Sequence, residues 1–155
     1  MSAEATMTKR LFTIVLFFAF VPLLAQTSDE KDAVAAAQKL FNGMAAHDAA
    51  MIRSSVLPDA RLYSIRADGT SSVMSAEDFS TRIAAVKGDI AERFTKQPTV
   101  LIRGRMAQVW GEYEFLRDGK FGHCGVDSFS LFNTAEGWKI AAITYTTETT
   151  GCPGQ

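Results

Sequence analysis

The stretch Val109-Trp-Gly-Glu-Tyr-Glu-Phe-Leu-Arg-Asp-Gly-Lys-Phe-Gly-His-Cys-Gly-Val-Asp-Ser-Phe-Ser-Leu131 decides the fold. At its centre, Asp118-Gly119 supplies the two positive φ angles of a type I′ hairpin turn, so the flanking runs pair as antiparallel strands. Side chains in a strand alternate with period 2. If Leu116 faces Phe121, the expected register sets Glu114 across from His123, Glu112 across from Gly125 and Trp110 across from Asp127. One face then carries Trp110, Glu112, Glu114, His123, Asp127 and Phe129, and the other Tyr113, Phe115, Cys124 and Phe132. The first face grades from Phe129 and Leu131 to acids and a histidine near the turn. That gradient suits a pocket with an apolar floor and a polar mouth.

Working outward, strands are expected over 92–103, 106–116, 121–132 and 138–147. Ile140 and Ile143 have opposite parity, which predicts a bulge near Ala141. Upstream the pattern is helical. Thr27 and Glu30 stand at capping-box spacing, and Val34, Ala37, Leu40, Phe41 and Met44 recur on one helical face. Asp48 reads as the N-cap of a short second helix, which ends before Pro58. Arg61 to Arg66 and Ser71 to Met74 form a hairpin about Asp68-Gly69. Ser75 caps a third helix with Phe79, Ile83 and Val86 as its buried stripe, stopped by Gly88. Helices followed by a long antiparallel meander give an α+β class, with helices covering one face of a curved sheet.

Lys9 and Arg10 precede Leu11 to Leu24, an almost unbroken apolar run, and Ala25 follows at the expected cut. That is the pattern of a secretory signal peptide over residues 1–25. At about 1.5 Å per residue the run spans only about 21 Å, short of the roughly 30 Å hydrocarbon core, so no stable membrane anchor is expected after cleavage. Residues 26–155 are expected to form one domain, periplasmic or secreted. Removing Lys9, Arg10 and Glu4 leaves 14 basic and 16 acidic residues. With that balance and no basic patch, nucleic acid is not an expected partner. The two cysteines, Cys124 and Cys152, both survive cleavage, and in an exported chain they are expected to form a disulfide that holds the C-terminal tail.

The run Leu40-Phe41-Asn42-Gly43-Met44-Ala45-Ala46-His47-Asp48, then Val56-Leu57-Pro58-Asp59-Ala60, resembles the opening of the nuclear transport factor 2-like superfamily. Phe129-Ser130-Leu131 with Gly137-Trp138-Lys139-Ile140 is similar to that superfamily's last hairpin. The group includes ketosteroid isomerase and the SnoaL-like polyketide cyclases. The resemblance implies a cone-shaped α+β fold, also called cystatin-like, with a pocket between the sheet and the helices and a homodimer through the sheet. It does not carry steroid isomerisation, because the isomerase places a tyrosine on the first helix and this chain has none there.

The polar candidates are therefore weighed from the residues. His123 and Asp127 are about 13 Å apart along one strand, at about 3.3 Å per residue, so they cannot form a direct pair. His123 opposite Glu114 would make either a general base or a plain cross-strand ion pair. Asp127 sits among apolar groups, where an acid needs a partner or a raised pKa. His123 and Asp127 are the candidate catalytic groups, and Tyr63, Trp110, Glu112, Phe129 and Tyr145 the candidate ligand-binding ones. His47, at a helix end, is expected to be solvated. No metal site is expected, since His123 and Cys124 point to opposite faces and no second ligand cluster exists. No nucleotide loop, hydrolase elbow or zinc helix occurs, so no cofactor is expected. The leading reading is a domain that binds a small, partly apolar ligand. A cofactor-free lyase or isomerase is the second. The third is a dimeric interaction domain using Tyr113, Phe115 and Phe132.

Overall fold

Local chemistry starts each helix where the sequence predicts. In a computed structural model, which describes residues 27–152, Thr27 and Glu30 close a capping box at the head of α1 (Ser28–Ala45). Asp48 caps α2 (Ala49–Ser55), and Ser75 caps α3 (Ala76–Ala84). The expected signal peptide lies outside the described residues. Between α1 and α2 the chain turns at His47, which takes a positive φ of 53°. Its Nε2 is enclosed with no hydrogen-bond partner among the described residues, so the expectation of a solvated ring is corrected.

Seven strands form one curved sheet in the order β2-β1-β7-β6-β5-β3, and β4 also pairs with β5. They are β1 (Val56–Arg66), β2 (Ser71–Ser75), β3 (Ile90–Phe94), β4 (Thr99–Arg103), β5 (Met106–Arg117), β6 (Lys120–Thr134) and β7 (Gly137–Thr147). The sheet is mixed rather than purely antiparallel, because β1 runs parallel to β7. The single strand expected over 92–103 is two. Its break falls at Thr95 to Pro98, where Phe94 and Pro98 pack over Gly111 in the middle of β5. A bulge does occur at Ala141, since Ser130 pairs with Ala142 and Leu131 with Ile140.

The hairpin register departs from expectation for one reason. The turn forms at Asp118-Gly119, both with positive φ, and Leu116 faces Phe121. Gly122 then bulges, so His123 pairs with Phe115, Cys124 with Glu114 and Asp127 with Gly111. A one-residue slip turns a whole strand over. The β6 half of the predicted pocket face stands, and the β5 half is reversed. Val109, Tyr113 and Phe115 point inward, while Trp110, Glu112 and Glu114 point outward.

The core lies between this concave face and the helices. Ala33, Ala37, Leu40, Phe41 and Met44 of α1 pack on Val109, Phe129, Leu131 and Ile143 of the sheet. Phe41, Phe94 and Phe129 meet edge to face, with ring centroids 5.1, 5.8 and 6.1 Å apart. Such aromatic pairs add about 0.5–1.5 kcal/mol each beyond their buried area. The Cys124–Cys152 disulfide forms as expected and ties the tail to the outer face of β6.

Candidate functional site

A cavity of about 200 Å³ opens beside that aromatic cluster. Leu40 and Met44 of α1 and Phe79 and Ile83 of α3 form one wall, and Leu62, Phe129 and Ile143 form the floor. Its polar groups are Glu92, Tyr113, His123, Asp127, Tyr145 and Thr147. Close backbone packing beside the cavity depends on a glycine of β6. Gly125 of β6 sits where a Cβ would come within 2.2 Å of the Thr146 carbonyl oxygen, so only glycine lets β7 close over it.

Asp127 is 3% exposed, and no N–H or O–H donor of the described residues reaches its Oδ2. Its neighbour is another acid, the Glu92 side chain of β3, which lines the same cavity and feels the Asp127 charge. Two buried carboxyls placed together disfavour each other's ionised form. Burial pushes Asp127 up to about 8. Burial, and next the Asp127 charge, holds Glu92 well above the usual carboxylate range. Two acids that interact in this way titrate as a unit.

The other polar groups are more committed. The Tyr113 hydroxyl donates to the Thr146 carbonyl oxygen at 2.7 Å. Burial raises its pKa, with the charges of Glu92 and Asp127 adding to the effect. Burial likewise raises Tyr145. His123 stacks on Phe115 with centroids 4.7 Å apart and meets the Tyr113 ring edge-on at 5.8 Å. Burial lowers its pKa, which favours the neutral ring at pH 7. Its expected partner Glu114 is on the other face, bound to Arg93 at 2.6 Å, so the Glu114–His123 couple is not formed.

Of the residues expected to line a pocket, His123, Asp127, Phe129 and Tyr145 do so together. Trp110, 42% exposed, and Tyr63 instead border a groove on the opposite sheet face, which Tyr145 also touches. Glu112 pairs with Lys96 at 2.8 Å, away from both. Tyr113 and Phe115, expected on an outer interaction patch, line the cavity, and of that trio only Phe132 is outside. Glu92 lines the cavity without being among the residues expected there. The alternation Ile90, Glu92, Phe94 held the signal, since it sets an acid between two inward apolar residues. Among the described residues no group of three metal-ligating side chains comes together.

Helices packed on a curved sheet are shared with solved proteins of low sequence identity. A nuclear transport factor 2-like superfamily protein from Salmonella enterica serovar Typhimurium superposes with a TM-score of 0.65 at 14% identity, covering 83% of this chain and 96% of that one. A protein with a cystatin-like fold from Nostoc punctiforme gives 0.64 at 9%, covering 82% and 96%. A nuclear transport factor 2-like protein from Streptomyces avermitilis, described as a "putative dehydratase", gives 0.63 at 18%, covering 79% and 98%. No curated protein matches the sequence. The family model described as "Putative lumazine-binding" matches residues 28–146. The chain therefore belongs to that family and has the fold of nuclear transport factor 2-like proteins.

Proposed function

We propose that the protein is an exported domain that binds a small, partly apolar ligand in the cavity between α1, α3 and the sheet. The observation that carries this reading is a mostly apolar cavity of about 200 Å³ with Glu92 and the buried Asp127, whose Oδ2 has no hydrogen-bond partner among the described residues, in its wall. Concave, mostly apolar sites with a few placed polar groups are the usual form of a small-molecule site. The family description points to a small ligand as well. Export is supported by the apolar run Leu11 to Leu24 and by the disulfide, which persists in oxidising compartments. Native mass spectrometry of the mature protein, purified from a bacterial periplasm, tests this reading. A retained small molecule, lost in a variant with Phe129→Trp filling the cavity, supports it. An empty protein that no small probe stabilises overturns it.

A second reading has its own observation. Asp127, raised to about 8 inside a water-poor cavity, is placed to exchange a proton at neutral pH, as a cofactor-free lyase or isomerase requires. Deuterium uptake at the α-carbon of a small cyclic ketone in heavy water, abolished by Asp127→Asn, would support it. Uptake at the uncatalysed rate would exclude it for that class of carbon acid. Self-association through the outer sheet face is a further proposal, supported by exposed Ile65, Trp110 and Phe132, and sedimentation tests it.

A further inference from the structure

The charges around the cavity are one-sided. The elements that line it bring no lysine or arginine to it. α1 and α3 contribute Leu40, Met44, Phe79 and Ile83, and β1 contributes Leu62. The titratable groups are Glu92 from β3, Tyr113 from β5, His123 and Asp127 from β6, and Tyr145 from β7. Strand alternation turns Arg93 away from Glu92, and Lys96 lies past the end of β3. Arg93 goes to Glu114 and Lys96 to Glu112, both on the other face. Arg66 acts on Tyr145 but does not line the cavity. The Tyr113 proton is committed to a carbonyl, and His123, four residues from Asp127 along β6, is about 13 Å away. Among the described residues no lysine or arginine lines the cavity to neutralise the two acids, while Tyr113, Phe115 and Phe129 line it with them.

We propose that the cavity is a site for a small, flat organic cation, such as an amine, an amidinium or a protonated nitrogen heterocycle, seated with its charge on Glu92 and Asp127 and its ring among Tyr113, Phe115 and Phe129. This rests on the pocket reading above and narrows it to one ligand class. The positive group donates to Asp127 Oδ2, which is buried and lacks a donor. Charge-assisted hydrogen bonds of this kind are stronger than neutral ones, and aromatic faces attract a desolvated cation. The cation takes the place of a proton held by the acid pair, so binding releases that proton to solvent.

Isothermal titration of the mature protein with benzamidine, and with its neutral counterpart benzamide, tests the assignment between pH 6 and pH 9 in two buffers of different ionisation enthalpy. Benzamidine should bind at least about tenfold more tightly than benzamide, since a charge-assisted contact is lost in the amide. Below the last ionisation of the pair, its affinity should rise about tenfold per pH unit, with close to one proton released. Asp127→Asn and, separately, Glu92→Gln should each remove the preference and the proton release. Should one variant fail to fold, the other variant and the probe pair on the unaltered protein still decide. Equal or tighter binding of benzamide, or no proton release, overturns the cation class and leaves the pocket reading standing. If neither probe binds and no small molecule is retained on purification, both readings fall.

Discussion

Gly111 lies directly across the β5–β6 ladder from Asp127, and the Phe94 ring occupies the space its side chain would need. A Cβ there would stand 2.6 Å from Phe94 Cδ1 and 3.1 Å from Pro98 Cβ. Gly111→Ala must push Phe94 off Phe41 and Phe129. The expected loss is about 1–3 kcal/mol, the usual cost of overpacking a filled core, measured as a lower urea midpoint at unchanged slope.

The acid pair makes stability fall with rising pH. Asp127 is protonated in the folded state up to about 8, whereas the unfolded chain gives up that proton near the ordinary aspartate value of 3.8. Between those limits the unfolded state binds fewer protons, so each step up in pH favours it. Glu92, raised as well, adds to the same slope. Urea denaturation at pH 5 and pH 8 should show the unaltered protein weaker at pH 8, and Asp127→Asn should flatten that difference.

His123 acts in the opposite sense. Its folded pKa is depressed below 6.5, so as pH falls through that value the unfolded state takes up a proton first and gains. The His123 contribution therefore declines on acidification below about 6.5 and offsets part of the gain from the acid pair, and His123→Phe should enlarge the net gain at low pH while keeping a ring stacked on Phe115. Proton magnetic resonance of the His123 ring checks the direction independently.

The bulge at Gly122 shows where the sequence was legible and where it was not. Helix starts at Thr27, Asp48 and Ser75 follow from contacts within three residues of the cap, so local spelling suffices. Both Asp-Gly turns and the Ala141 bulge are equally local. The turn at Asp118-Gly119 fixes only the first pairs of its ladder. One added residue at Gly122 reverses the parity of everything beyond it, and glycine has no polarity to announce that. Hence His123, Asp127 and Phe129 were placed correctly, and Trp110, Glu112 and Glu114 were not. The Glu92–Asp127 contact and the parallel β1–β7 pairing join residues far apart in the chain, which no window of sequence can show.

Removing those outward residues is accordingly expected to leave the cavity unchanged. Trp110→Ala and Glu112→Gln should bind any cavity ligand as the unaltered protein does. Glu112→Gln, which breaks a half-exposed pair with Lys96, should cost no more than about 1 kcal/mol. Titration calorimetry and thermal unfolding of the two variants check both statements.

The disulfide closes 28 residues of sequence separation, from Cys124 to Cys152. A loop of that size restricts the unfolded chain by about 3–4 kcal/mol in the chain-entropy account. Cys124→Ser with Cys152→Ser should lower stability by about 2–4 kcal/mol, and reductant should do the same to the unaltered protein but not to the double variant.

Tyr113 reaches further than the cavity wall it forms. Its hydroxyl bonds the Thr146 carbonyl, the Thr146 hydroxyl accepts the Val126 N–H at 3.0 Å, and beyond it Cys124 and Glu148 exchange backbone bonds of 2.9 and 2.8 Å beside the disulfide. Any occupant that tilts the Tyr113 ring must lengthen or shorten this relay. The Val126 and Glu148 amides thus form a built-in gauge of cavity occupancy, readable by hydrogen exchange without a label on the ligand.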